Sequence, residues 1–125
     1  MTLLAILTNV YPGHFSRSFI DHVTRMSLDS EYRCAIEAAA ETIGLKAWYK
    51  SARWKDTTKL VRLLRTNCEC CGTFENLQVH HTTYRHLGSE VLHLEDVRLL
   101  CDTCHRNTHG MPTLFSDGSA TIHVN

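Results

Sequence analysis

Residues 67–109 read NCECCGTFENLQVHHTTYRHLGSEVLHLEDVRLLCDTCHRNTH, and this stretch decides the fold. Cys68 and Cys71 form one C-x-x-C pair; Cys101 and Cys104 form a second, which runs directly into His105. Two such pairs supply the four soft ligands of tetrahedral zinc. The other use of many cysteines, a disulfide framework, belongs to secreted chains. The N-terminus here has neither a basic leader nor a small-residue cleavage site. The four cysteines are therefore read as ligands of a structural Zn ion in a reducing, cytosolic compartment. Cys70 also lies in the knuckle and competes for the place of Cys68. The spacing favours Cys68 with Cys71, because it lets both thiolates and nearby amides face one metal. Cys34 and Cys70 are then ordinary small residues.

Between the pairs, Leu77 to Thr82 has strand character and Val97 to Leu100 is a second strand. His86 to Glu95 reads as a loop containing Gly88, and Asp102 to His109 as a short helix. Gly72 follows the second thiolate, where a positive φ suits a tight knuckle. His105 and His109 are i and i+4, so they share one helix face, with Cys101 and Cys104 directed to another. His80 and His81 are strand neighbours and point to opposite faces. They are poorly placed to bind one metal together, but one can bind metal while the other acts as a base.

This constellation resembles the HNH endonucleases of the ββα-metal superfamily, in their zinc-containing, four-cysteine, phage and bacterial branch. The lead-in Ser51-Ala52-Arg53-Trp54-Lys55 is similar to the segment that precedes the motif in many such proteins. The resemblance covers about residues 50–110 and implies an α+β chain, with a ββα-metal finger holding a structural zinc. By position it gives His80 the first metal-ligand place and His81 the general-base place. His105 and His109 take the helical metal-ligand places, and the four cysteines the structural zinc places. Asp96 falls where the family's central Asn sits, a residue that organises the hairpin loop and helps orient the base; a direct metal contact is its alternative role.

The activity implied is phosphodiester hydrolysis of double-stranded DNA, in a form that can include nicking of one strand, leaving a 5′-phosphate and a 3′-hydroxyl. His81 would take a proton from water near neutral pH. A single divalent cation (Mg, Mn, Ni or Zn) on His80, His105 and His109 would neutralise charge at the phosphate. Arg106, which follows His105, is the favoured phosphate clamp; Arg85 and Arg98 are weaker candidates. His86 and His93 have no assigned part. The resemblance also implies a bacterial or phage-infected cytoplasm and a partner in phage genome packaging or another protein partner.

Around this core, 43% hydrophobic and 21% charged residues over 125 positions describe one globular chain rather than a disordered one. The apolar run Leu3 to Leu7 is far too short to cross a membrane, which takes about 20 residues. Equal totals of 13 cations and 13 anions conceal a division. Residues 46–65 carry seven Lys and Arg against Asp56 alone, whereas the segments on either side are net acidic. Arg53, Lys55, Lys59, Arg62 and Arg65 are therefore the candidate DNA contacts. Trp48, Tyr49 and Trp54 are read as core.

Four stretches are expected. Residues 1–45 form a mostly helical segment of unassigned role, with Leu3 to Leu7 a short strand or buried segment. Within it, Ser16 caps one helix, and Asp29 or Ser30 caps a second that stops at Gly44. Residues 46–66 form the basic helix leading into the motif, within which Ser51 caps a helix over 52–65; 67–110 form the nuclease core, and 111–125 a C-terminal hairpin turning at Asp117-Gly118. Two other functions stay open: a catalytically silent, zinc-stabilised DNA-binding module, and an interaction or regulatory protein on an HNH-like scaffold.

Overall fold

The computed structural model describes residues 1–109, with His109 by its backbone alone. The expected hairpin of 111–125 lies outside the described residues. The described chain is α+β: six α-helices and one two-stranded antiparallel sheet. It forms two compact units. One holds Met1–Thr57 together with Leu87–Leu92; the other holds 58–86 and 93–109.

The first unit is helical. Leu3 to Leu7 is helix, not strand: α1 spans Leu3–Ala5 and continues as a π turn over Ile6–Val10. Thr2 Oγ1 accepts from the Ala5 amide at 3.1 Å and starts that helix. Local pairing satisfies these amides, which an extended segment without a neighbouring strand would leave open. Leu7 is buried. Helix α2, Arg17–Leu28, is capped by Ser16, whose Oγ accepts from the Phe19 amide. Phe19, Val23 and Met26 recur at helical spacing and are all buried. A single residue, Asp29, joins α2 to α3 (Ser30–Ile43). Its amide donates to Arg25 O, and its carboxylate accepts from the Tyr32 amide.

The basic stretch 46–66 is two helices, α4 (Leu45–Tyr49) and α5 (Ala52–Arg65). The reason is local. Ser51 Oγ donates to Trp48 O at 2.6 Å and accepts from the Trp54 amide at 3.2 Å, ending one helix and capping the next. Trp48 and Trp54 are both buried, as expected of core residues.

Segment 87–92, between the two strands in sequence, packs with the helices of the first unit. Glu90 is buried, and its carboxylate accepts from Trp48 Nε1 and from the Gly88 amide, both at 3.0 Å. Ser89 Oγ donates to the Glu37 carboxylate. Gly88 has φ +99° and lies flat on α3.

The second unit contains β1 (Leu77–His81) and β2 (Val97–Cys101), paired from Leu77↔Cys101 to His81↔Val97. Helix α6, Asp102–His109, follows β2 without a linker and packs on both strands. The knuckle before β1 is held to β2 by Glu69. Its amide donates to Leu99 O at 2.8 Å, and its carboxylate accepts from the Leu99 amide and from Arg65.

A methyl group on Gly88 would sit 3.0 Å from Ala40 Cβ and 3.1 Å from Glu37 Cα, on a backbone with positive φ. Gly88→Ala is therefore expected to cost about 1–3 kcal/mol. Gly13, also at positive φ, has nothing within 4 Å of the same position, so Gly13→Ala should cost clearly less. Thermal melts of the two variants check the difference; equal losses would contradict the close approach.

Candidate metal centre

Cys68, Cys71, Cys101 and Cys104 come together. Their sulfurs all lie within 4.8 Å of one another, in an arrangement able to hold a metal ion. Backbone geometry on both sides builds the cluster. In the knuckle, Cys68 N donates to Thr73 O and Gly72 N to Cys68 O, with Gly72 at φ +82° as its position requires. On the other side, Cys101 closes β2 and Cys104 lies one turn into α6. The amides of Cys70 and Cys71 donate to Cys68 Sγ, and that of Cys104 to Cys101 Sγ, all at 3.4 Å. Such N–H···S bonds favour thiolate and fix its direction.

The spacing fits a shared cation. Cys71 Sγ and Cys101 Sγ are 3.7 Å apart, and none of the four cysteines is in a disulfide. Disulfide sulfurs lie about 2 Å apart, whereas sulfurs bound tetrahedrally at about 2.3 Å lie about 3.8 Å apart. The protonation pattern agrees. Burial pushes the Cys68 thiol up, but the amides of Cys71, Cys101 and Cys70 override it and bring it down to about 6. Cys104 is held far above its usual range, first by the Cys101 sulfur and then by burial. At Cys71 the Thr73 amide acts downward, yet the sulfurs of Cys101 and Cys68 make the net shift upward. One thiolate forms readily and its neighbours resist; a cation removes that mutual repulsion.

The histidines divide as strand alternation requires. Gln78 and His80 share one face of β1 and both meet α6: Gln78 Nε2 reaches Asp102 Oδ1 at 3.4 Å, and the His80 and His105 rings lie 5.0 Å apart at 70°. His80 and His105 are buried. His81, fully buried, lies instead against Tyr84, with ring centroids 4.8 Å apart. His109 is the final residue of α6, and its side chain is outside the described residues.

Asp96 is buried, and its Oδ2 lies 2.6 Å from His86 Nδ1. Its carbonyl accepts from both the amide and the hydroxyl of Thr82. Asp96 thus ties the two ends of the strand connection, and its carboxylate meets His86. His86 in turn stacks on His93 at 3.5 Å. No motif assigns these two histidines a part. Glu69 and Glu90 carried no sequence signal.

The cations fare differently. Arg53, Lys55, Lys59 and Arg62 are exposed along α5. Arg65 instead turns inward, donating to Val97 O at 2.5 Å and Leu94 O at 2.7 Å, so its guanidinium braces the strand connection. Arg106 is exposed, with Nη2 3.5 Å from Asp102 Oδ2; Arg85 and Arg98 are also exposed. An open apolar groove of about 310 Å³, lined by residues such as Ile36, Ile43 and Trp48, belongs to the first unit and contains none of these histidines. Among the described residues no helix is long and apolar enough to cross a membrane.

Compared with family models, curated proteins and solved structures, the chain has no match.

Metal removal should separate folding from simple ligand loss. One metal ion per chain is expected on the four cysteines, and Cys101→Ser should lose the metal and the second unit's structure together, since binding in such sites is worth about 10–16 kcal/mol. Elemental analysis with circular dichroism measures both. A metal-free wild type with an unchanged spectrum would remove the assignment.

Proposed function

We propose that the chain is a metal-dependent DNA endonuclease of the HNH type, with zinc on the four cysteines as its structural centre. The observation that carries this reading is the pairing of His80 with His105 on α6, while the adjacent His81 lies apart from that pair. A DNA-binding module that does not cleave needs neither a histidine pair beside its zinc centre nor a separate imidazole.

On this reading His80, His105 and His109 hold a divalent cation, which supplies charge neutralisation at the scissile phosphate and the departing 3′ oxygen. His81 accepts the proton of the attacking water through a neutral ring nitrogen. The new bond joins the water oxygen to phosphorus, the P–O3′ bond breaks and the departing O3′ takes a proton from solvent, leaving a 5′-phosphate and a 3′-hydroxyl. Arg106 lies on the same helix as His105 and serves the phosphate. The exposed cations of α5 meet the DNA backbone, which carries no base information. Phage or bacterial DNA in the cytoplasm is the substrate this reading implies.

The two histidines should fail differently. His81→Ala should lower plasmid cleavage about 100-fold or more while metal and DNA still bind. His80→Ala should weaken the cation site, with activity partly restored at high metal concentration. Calorimetric metal titration alongside plasmid nicking, with and without EDTA, decides it. Wild-type protein that leaves plasmid intact with every divalent ion tried would retire the nuclease reading.

Lys59→Glu with Arg62→Glu should weaken binding to all DNA sequences alike. The slope of log K against log salt should flatten by about 0.9 for each phosphate that is no longer neutralised. An unchanged slope in a fluorescence-anisotropy titration would place the DNA on another surface.

A further inference from the structure

An imidazole at a strand end has a broad χ2 torsion, so the strand itself does not set the plane of the ring. His81 is the last residue of β1 and is 0% exposed. The Tyr84 ring lies against it at 4.8 Å, tilted by only 32°, so one face of the imidazole meets a flat wall. The turn that carries Tyr84 is itself fixed. Before it, Thr82 donates to Asp96 O through its amide at 2.8 Å and its hydroxyl at 3.0 Å. Within it, the Arg85 amide donates to Thr83 Oγ1 at 3.2 Å. After it, His86 Nδ1 meets Asp96 Oδ2 at 2.6 Å. One residue, Asp96, therefore holds the turn 82–86 at both ends, with Tyr84 at its middle. Asp96 is anchored in turn, since its own amide donates to His93 O at 3.0 Å and His93 stacks on His86.

We infer that Tyr84 is a positioning residue for His81, and that Asp96 with His86 acts on the reaction through it by fixing the turn. This rests on the reading of His81 as the general base. The ring face of Tyr84 holds the imidazole in one plane, so the ring is already set in that plane when substrate binds. Pre-aimed groups matter in such steps: a misplacement of about 1 Å can lower a rate about 100-fold. The feature that does this is the aromatic face, so phenylalanine should replace tyrosine and a small side chain should not.

The test uses the full chain, metal-loaded, with Tyr84→Phe, Tyr84→Ala and Tyr84→Leu, the last filling the space should alanine fail to fold. Two readouts run together: single-turnover plasmid cleavage with DNA and metal affinities, and the NMR signals of the His81 ring. Tyr84→Ala and Tyr84→Leu should lower the cleavage rate about 10- to 100-fold with KM and metal affinity unchanged, and should move the His81 ring signals. Tyr84→Phe should keep the rate within about threefold and leave those signals in place. His86→Gln should move them in the direction of Tyr84→Leu. Cleavage at the wild-type rate by Tyr84→Leu, or an equal loss in Tyr84→Phe, overturns the inference. Wild-type protein that cleaves no DNA retires the nuclease reading instead. The ring signals then decide the packing alone, and unchanged signals in Tyr84→Leu reject it.

Discussion

Four sulfurs drawn from two distant parts of the chain converge to within 4.8 Å, and the rest of the second unit depends on that convergence. The two strands offer only five residue pairs, too few to hold a hairpin firmly in water by themselves. The cluster joins the knuckle before β1 to the junction of β2 and α6, and so fixes where α6 begins. Because His105 follows Cys104 directly, fixing that turn of α6 also fixes His105 beside His80. Glu69 adds a second tie between knuckle and β2, and Arg65 braces the carbonyls of Leu94 and Val97. The cysteine cluster and the histidine pair are thus consequences of one constraint, applied at the first turn of a single short helix.

Strand alternation then separates the two neighbouring histidines. His80 shares its face with Gln78 and meets α6, whereas His81 faces the other way and meets Tyr84. In the proposed nuclease this separation lets one imidazole hold a cation while the other moves a proton, without either role disturbing the other. Asp96 has a third task. It holds the turn after β1 through its main chain and its carboxylate.

The first unit follows different physics. Its core is apolar and helical, but segment 87–92 enters it through polar groups: buried Glu90 with Trp48, and Ser89 with Glu37. A buried carboxylate is tolerated because both its oxygens are bonded. His22, also buried, lies 2.8 Å from the Tyr32 hydroxyl through Nδ1. Burial first, and then Arg53, lowers its pKa to about 4, which keeps it neutral. These partners make the segment specific as well as stable, since a displaced Glu90 or Ser89 would leave buried polar atoms unsatisfied.

Much of this was legible in the chain itself, wherever the deciding interaction is local. The caps at Ser16, Asp29 and Ser51, the stop at Gly44 and the turn at Gly72 each depend on one residue and its immediate neighbours. The strands at 77–81 and 97–101, the helix at 102–109 and the ligand spacing of the cysteines follow from short-range period. Local signals failed at Leu3–Leu7, whose apolar run suits strand and helix equally until the lack, among the described residues, of a strand beside it decides. The short α4 before Ser51 carries no such signal, because Ser51 ends it only through the Trp48 carbonyl, whereas the helix that Ser51 starts is local. What only the tertiary structure decided is the set of long-range partners: Asp96 with His86, Arg65 with Val97, Glu90 with Trp48, and Tyr84 over His81. Each joins side chains whose meeting depends on how separate elements pack, and no periodicity within a single element records that.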